Sequence, residues 1–410
     1  MLSLYLVLDL ADEKGGLCSR LLADLGAQVI KVEPPGGCPS RKLGPFFKDA
    51  PDARHSLFFW AYNAGKKGIT LDLEAREGQA LFRRLAKKAH FVLESFRPGY
   101  LESLGLGYEA LARENPGLIL ASITPFGQEG PYRDFQGPDI VGMALGGAMF
   151  VTGDSDRPPL RPGFPQAYLM ASADALAALL MAHYYRQRSG RGQHIDVSIQ
   201  QSVMWATINV RHWWETGGAI IRRAGPLRGG RAPGVFQRCI WPCKDGEVAF
   251  VLLGGSTGPR VNGALTEWMA QEGMADDFLR AFDWKSFDMW QSGPEVFQRI
   301  EAQIARFFLA HTKEELYQGA LGRHIYLFPM NRMEDLARDP QLQARGFWQR
   351  VEHPEAGPVP YPGAFIRATA HPLKVQGRAP YLGEHNQEVF TVRLGLSPQE
   401  LNGLKERGVV

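Results

Sequence analysis

Ser95, Phe96 and Arg97 close the apolar run HFVLESF, which reads as a strand. At the carboxyl ends of strands in an open parallel sheet, backbone groups and helix N-termini are free, so ligands gather there. A hydroxyl, an aromatic ring and a cation thus stand together where binding chemistry is expected. Lys14, in the turn DEKGG, faces the same sheet edge and can bring a second charge to it. Metal chemistry is poorly served: Cys239 and Cys243 are spaced like half a zinc site, but no second pair and no nearby His completes it. No GxGxxG follows the first strand, so a dinucleotide is not indicated.

The elements that would hold these residues follow from the hydrophobic pattern. MLSLYLVLDLAD is apolar for barely ten positions with no basic lead, which predicts a buried first strand, not a signal peptide or a membrane span. A glycine turn, the helix CSRLLADLGA and the strand QVIKVE complete a βαβ unit, the start of a parallel sheet. KKGITLDL, HFVLESF and LILASIT supply further strands, and EAREGQALFRRLAKKA a helix with Leu81, Leu85 and Ala89 inward and a wet basic face. Tyr168 to Tyr185 is rich in Ala, Leu and Met, which predicts a helix buried on most of its circumference, and SGRGQ then stops it. HIDVSI alternates as a short half-buried strand.

Later in the chain, RCIWPCKDGEVAFVLLGG reads as a hairpin turning at Lys244-Asp245-Gly246. Residues 266–318 read as amphipathic helices anchored by Trp268, Phe278, Trp284, Trp290, Phe307 and Phe308. Thr312 and Glu315 form a capping box. With 410 residues, two domains are expected.

Composition narrows the partners. The chain is 45% hydrophobic and 22% charged with a formal net charge of +3, the balance of a soluble globular protein and too small a charge for nucleic acid as the main ligand. The basic run Arg222, Arg223, Arg228 and Arg231 is followed only by Phe236 as a stacking candidate and reads as a linker. Four scattered cysteines are too few for a disulfide framework and suggest a reducing cytoplasm.

Five stretches in order, LLADLGAQVIKVEPPGG, NAGKKGITLDL, ESFRPGYLESLGLGYEAL, NPGLILASITPFGQEGPY and SGRGQHIDVSIQQSV, resemble the family III CoA-transferases, the group that includes the α-methylacyl-CoA racemases. The resemblance covers nearly the whole chain. It implies an α/β fold: a large domain over 1–220 and 320–410 on a parallel Rossmann-like sheet, a smaller α+β domain, with its linker, inserted over 221–319, and two chains interlocked as a dimer. It implies CoA and acyl-CoA as substrates, with no covalently bound cofactor and no metal. By resemblance, Arg41 approaches the CoA phosphates, Leu71, Ser95, Phe96 and Arg97 contact its adenine or pantetheine portion, and the loop carrying Gly254, Gly255 and Gly258 closes over the site. Glu74 and Ser103 stand where the family often carries basic residues, so the phosphate grip is expected to be thinner. His385, in PYLGEHN, is expected to be structural.

The family's nucleophilic aspartate lies about 22 or 23 residues before the first glycine of the TGRGQ-type turn. Counting back from Gly190 gives Tyr168 or Ala167, and neither can attack a thioester and leave again as a carboxylate does. Asp174 is a weak substitute, about two helical turns further on. The racemase branch places a His before an Asp where this chain has Pro138-Asp139, which argues against racemisation. The stretches DEKGG, QAYL and RGGRAPG most resemble benzylsuccinate CoA-transferases. The resemblance therefore implies a subunit without its own nucleophile, partnered by a homologous chain that carries the aspartate and acting on succinyl-CoA and a dicarboxylic acid. A self-sufficient transferase using Asp174 or Asp139, and an inactive CoA-binding or assembly protein, stay open as alternatives.

Overall fold

The computed structural model describes residues 1–229, 236–289 and 291–410, the side chains of 228, 229 and 236 excepted. The chain divides into two compact units, one of Met1–Met149, Arg161–Ala219 and Pro340–Val410, the other of Phe150–Leu160 and Ile220–Asp339. Arg231 and Trp290, both singled out in the sequence, lie outside the described residues, as do the side chains of Arg228 and Phe236.

In the first unit, strands β1 (Leu6–Asp9), β2 (Gln28–Glu33), β3 (Lys67–Thr70), β4 (Phe91–Glu94), β5 (Ile119–Thr124) and β6 (His194–Ser198) form a parallel sheet in the order β3-β2-β1-β4-β5-β6. Its register is fixed through the central strand, with Val7 opposite both Val29 and Phe91. β1, β4 and β5 are buried along their whole length, which is why they read as nearly continuous apolar runs. The helices that cross between strands are α1 (Gly16–Asp24), α2 (Leu57–Asn63), α3 (Arg76–Ala86), α4 (Tyr100–Ser103), α5 (Tyr108–Glu114), α6 (Asp139–Leu145) and α7 (Gln166–Ser189). One face of the sheet packs on Leu22 of α1 and the stripe Ala167, Ala171, Ala175 and Leu179 of α7. The other packs on Leu81, Phe82 and Leu85 of α3 and on Leu111 of α5.

α7 ends where Gly190 takes the left-handed conformation at φ 72° and its N–H reaches the Arg186 carbonyl. Contrary to the expectation from composition, only one stripe of this helix is buried. Met181, Tyr184 and Tyr185 are 67%, 62% and 52% exposed, and α8 (Ile199–Ala206) and α9 (Ile208–Gly217) leave Trp205, Trp213 and Trp214 exposed as well. The alanine-rich sequence allows close approach on the sheet side, while the bulky side chains on the outer side stay exposed, Tyr184 with the Arg188 guanidinium 5.5 Å from its ring centroid.

The second unit carries β7 (Leu227–Gly229), paired antiparallel with β8 (Phe236–Arg238), and the hairpin of β9 (Ile240–Cys243) and β10 (Gly246–Phe250), which turns at Lys244-Asp245. α10 (Gly258–Gln271), α11 (Asp277–Arg280), α12 (Pro294–Ala310) and α13 (Lys313–Gly322) surround a core of Trp241, Phe250, Trp268, Phe307 and Phe308. The Thr312–Glu315 capping box is present at the start of α13. Residues 320–339, which the family resemblance assigns to the large domain, belong to this unit. β11 (Leu327–Pro329) is the third strand of its sheet, with Phe328 opposite Ala249, and α14 (Met333–Arg338) is tied to α13 by the Lys313–Asp335 ion pair, 2.5 Å long.

The chain re-enters the first unit through α15 (Pro340–Ala344) and the hairpin of β12 (Trp348–His353) and β13 (Gly357–Pro362). Its last part docks on β3: the Gly68 N–H donates to His385 Nδ1 at 3.1 Å, and Asn386 bonds both Thr70 N and Thr70 Oγ1. His385 is thus held by backbone. α16 (Pro398–Glu406) buries Leu401 and Leu404 against the face that carries α3.

Candidate functional site

Four parallel strands deliver their carboxyl ends to one cavity of about 410 Å³. Leu10 and Asp12 reach it from β1, Val32 and Glu33 from β2, Leu71 to Glu74 from β3, and Ser95, Phe96 and Tyr100 from β4 and the turn behind it. Three of the residues singled out in the sequence, Leu71, Ser95 and Phe96, meet in this wall, and the Phe96 ring lies 4.7 Å from that of Tyr100. Arg97 is exposed and acts on the Tyr100 phenol only electrostatically. The backbone beside the cavity is tightly built, since a Cβ on Gly78 would sit 1.7 Å from the Asp72 carbonyl oxygen.

The two basic residues expected to face a phosphate are placed otherwise. Arg41 is buried, with Nε and Nη2 donating to the Glu33 carboxylate at 2.7 and 2.8 Å and Nη2 also to the Pro380 carbonyl at 3.0 Å. Its guanidinium lies 3.8 Å from the Phe59 ring centroid. The cause is Glu33: a carboxylate at the end of a buried strand needs a bidentate partner, and Arg41 is the one in reach. Burial alone would raise the Glu33 carboxyl, but the Arg41 hydrogen bonds and the Arg41 and Lys31 charges outweigh it and hold it below the ordinary range. Lys14 pairs with Asp12. Asp12 in turn accepts from Ser95 Oγ at 2.8 Å while its own N–H donates back to that hydroxyl at 2.9 Å, so Ser95 is locked to the first βα turn.

Beneath the cavity floor lies a second polar layer. Asp9, at the end of β1, is fully buried between Lys66 at 2.9 Å and Lys31 at 3.5 Å. Burial pushes the Lys66 ammonium down to about 8 against the attraction of Asp9. Glu94, the last residue of β4, was not legible as a special position, because a single Glu ending an apolar run is an ordinary strand boundary. Its carboxylate accepts the Phe96 N–H at 2.7 Å, and Ser122, opposite it on β5, has its Oγ 2.9 Å from His194 Nε2. Burial pushes this carboxyl up to about 7 in spite of the Phe96 N–H. Glu94 therefore fixes the backbone of Phe96, a wall residue of the cavity, while titrating close to neutrality.

The start of α7 is the other place the sequence marks. Ala167 and Tyr168 are both buried there, and neither side chain is acidic. The first turn is instead served from outside by Asp139, whose Oδ1 accepts Ala167 N at 2.8 Å and Tyr168 N at 3.4 Å. A carboxylate at a helix N-terminus satisfies orphan donors and complements the dipole. Its other oxygen has no hydrogen-bond partner among the described residues, though Arg161 Nε lies 3.6 Å away. Burial raises the Asp139 carboxyl despite the two backbone donors. Burial, followed by the charges of Glu13 and Asp12, pushes the Tyr168 phenol up, so it stays protonated and can only donate or accept a hydrogen bond. Glu13 has one buried oxygen without a hydrogen-bond partner among the described residues, and burial followed by the Asp12 charge raises its carboxyl.

Asp174 is exposed, about 200° around α7 from Ser172, whose hydroxyl points inward to the Lys14 carbonyl at 3.0 Å. It faces away from the start of the helix and cannot stand in for the missing acid within this chain. Gly254, Gly255 and Gly258 lie in the second unit at the entry to α10, where Asn262 binds both the N–H and the carbonyl of Leu253. Among the described residues no cluster of His, Cys, Asp or Glu could hold a metal ion, and all four cysteines are free thiols. No described helix is long and apolar enough to cross a membrane.

The succinyl-CoA:(R)-benzylsuccinate CoA-transferase subunit BbsE of Thauera aromatica is 33% identical over 100% of this chain and 98% of its own length. The succinyl-CoA–D-citramalate CoA-transferase of Chloroflexus aurantiacus is 36% identical over 97% of this chain and 94% of its own. The crystal structure of a CAIB/BAIF family protein from Brucella suis superposes with a TM-score of 0.81 at 28% identity, covering 95% of this chain and 98% of that one. Residues 5–386 match the model of CoA-transferase family III, and the chain belongs to that family.

Proposed function

We propose that this chain is the subunit without a nucleophile in a hetero-oligomeric CoA-transferase, which moves CoA from succinyl-CoA to a substituted succinate of the benzylsuccinate type. The observation that carries this reading is the start of α7, where Ala167 and Tyr168 occupy the expected place of the aspartate and the Asp139 carboxylate that reaches the first turn is engaged through Oδ1 by their N–H groups. Two relatives bear names that denote subunits, the benzylsuccinate enzyme above and the succinyl-CoA–L-malate CoA-transferase alpha subunit of Chloroflexus aurantiacus, 29% identical over 97% of this chain.

On this reading, the homologous partner's aspartate attacks the succinyl thioester and expels CoA as thiolate, leaving a mixed anhydride. The thiolate returns to the aspartyl carbonyl and releases succinate. The acceptor carboxylate then attacks the aspartyl-CoA thioester, and the freed thiolate takes up the acyl group while the aspartate is regenerated. This chain contributes fold, interface and a CoA-type cavity with Leu71, Ser95, Phe96 and Arg97 in its wall and rim. Arg41 and Lys14 shape that cavity through Glu33 and Asp12, and the glycine loop at 254–258 is the mobile element of the second unit.

The exposed Met181, Tyr184, Tyr185, Trp205, Trp213 and Trp214 support burial against a second, interlocked chain, because apolar surface of this kind rarely stays wet. The four free thiols suit the cytoplasm. A succinyl-CoA transfer assay on the chain alone, on the partner alone and on the mixture tests the proposal. Activity only in the mixture is expected; full transfer by this chain alone would overturn it, and would turn attention to the unpartnered oxygen of Asp139.

A further inference from the structure

We infer that the cavity at the open end of the β12–β13 hairpin is a binding site for an organic carboxylate with a hydrocarbon or aryl body, separate from the cavity at the ends of β1 to β4. Its volume is about 420 Å³, within the range of small-molecule sites, and it shares no lining residue with that other cavity. The hairpin builds it. Trp348 stands opposite Pro362, and the chain after Gly363 folds back so that the Val375 N–H donates to Gln349 Oε1 at 2.9 Å. Gly363 permits this closure, since a Cβ there would lie 2.6 Å from the Phe347 carbonyl oxygen.

The side chains that give the cavity its charge are all cationic. Arg345 and Arg367 bring two guanidiniums, Thr369 adds a hydroxyl and Gln349 the NH₂ left over once its oxygen is engaged, and no acidic residue is part of the wall. Arg367 Nη2 donates to the Arg345 carbonyl, which sets the two residues side by side, yet among the described residues neither guanidinium pairs with a carboxylate. Two like charges lining one cavity repel each other, and a carboxylate between them removes that repulsion and matches their planar forks. The rest of the wall is largely apolar, with Phe347, Ile366 and Leu373. Leu373 carries it down to the core that α1 and α7 share on one face of the sheet, while Ile366 is 42% exposed at the rim. An inorganic anion would use only the guanidiniums and a neutral hydrocarbon only the apolar wall, whereas a carboxylate with an apolar body uses both.

Calorimetric titration of the full chain, alone and in its native assembly, with and without excess CoA, tests the site with phenylbutyrate, acetate and phenylbutanol as probes. Phenylbutyrate is expected to bind at least about tenfold more tightly than either of the other two, and CoA is expected to leave it in place. Arg345→Gln, at a residue whose side chain makes no hydrogen bond among the described residues, and Arg367→Gln are each expected to weaken phenylbutyrate about tenfold, by an amount that shrinks as salt rises. Arg345→Lys keeps the charge without the planar fork and is expected to weaken it about threefold. Acetate or phenylbutanol binding as tightly as phenylbutyrate, an affinity unmoved by either Gln variant, displacement by CoA, or no binding of phenylbutyrate overturns the inference. Binding by the chain alone that vanishes in the assembly overturns it as well, and would place a carboxylate of the neighbouring chain in the cavity.

Discussion

Glu94→Gln removes one buried charge and keeps the shape. The Glu94 carboxyl titrates at about 7 in the folded chain against an ordinary 4.5, with burial as the first cause. The folded-state value is raised, so the contribution to stability is fully present below the unfolded value and is lost as pH rises through the folded one. A difference of about 2.5 units corresponds to about 3 kcal/mol of penalty on the ionised form once the pH exceeds about 7. Gln keeps an oxygen for the Phe96 N–H, and loses about 1 kcal/mol through an NH₂ that must find a new acceptor. The variant is therefore expected to be more stable than the wild type by roughly 1–3 kcal/mol near pH 8, and no more stable than it near pH 4. Chemical denaturation at the two pH values, with hydrogen exchange at the Phe96 amide as the local readout, measures both ends. A stability difference that does not change with pH, or a variant less stable at pH 8, would refute the account of Glu94 as a desolvated carboxylate.

Other substitutions read other parts of the structure. Arg41→Ala leaves Glu33 buried without its bidentate partner and is expected to cost about 3–5 kcal/mol, seen as a fall in denaturation midpoint; a change under about 1 kcal/mol would show the pair to be dispensable. Phe96→Ala removes an aromatic wall and is expected to weaken nucleotide binding by about 1–2 kcal/mol, roughly tenfold, with little change in fold. Asp139→Asn keeps an oxygen for the Ala167 and Tyr168 N–H groups, so transfer activity of the assembled complex is expected to stay within about threefold. Abolished activity with normal folding would identify Asp139 as the nucleophile.

The parallel sheet was legible because buried strands such as LVLD and FVLE carry their signal within a few consecutive residues, and the turns between them are marked by glycine and proline. The capping box at Thr312 was legible for the same local reason. Long-range pairing was not. β11 carries only three residues, and nothing in Leu327–Pro329 announces that it joins β10. The engagement of Arg41 by Glu33 and the carbonyl of Pro380, 339 positions away, is likewise a property of the folded chain. The site was half visible. Ser95 and Phe96 follow a strand and could be placed at the sheet edge, whereas Leu71 and the count back from Gly190 to the non-acidic start of α7 came with the family resemblance. Glu94 and Glu13 were hidden, because only burial makes an ordinary carboxylate unusual.

The central claim is that the reacting aspartate belongs to another chain. The native mass of this protein expressed with and without its nearest homologous subunit, joined to a succinyl-CoA transfer assay on each preparation, tests it most directly. A mixed assembly that alone transfers CoA, beside an inert preparation of this chain, is the expected result. A homo-oligomer of this chain that transfers CoA at the rate of the mixture would contradict it, and would mean that a carboxylate other than one at position 167 or 168 carries the acyl group.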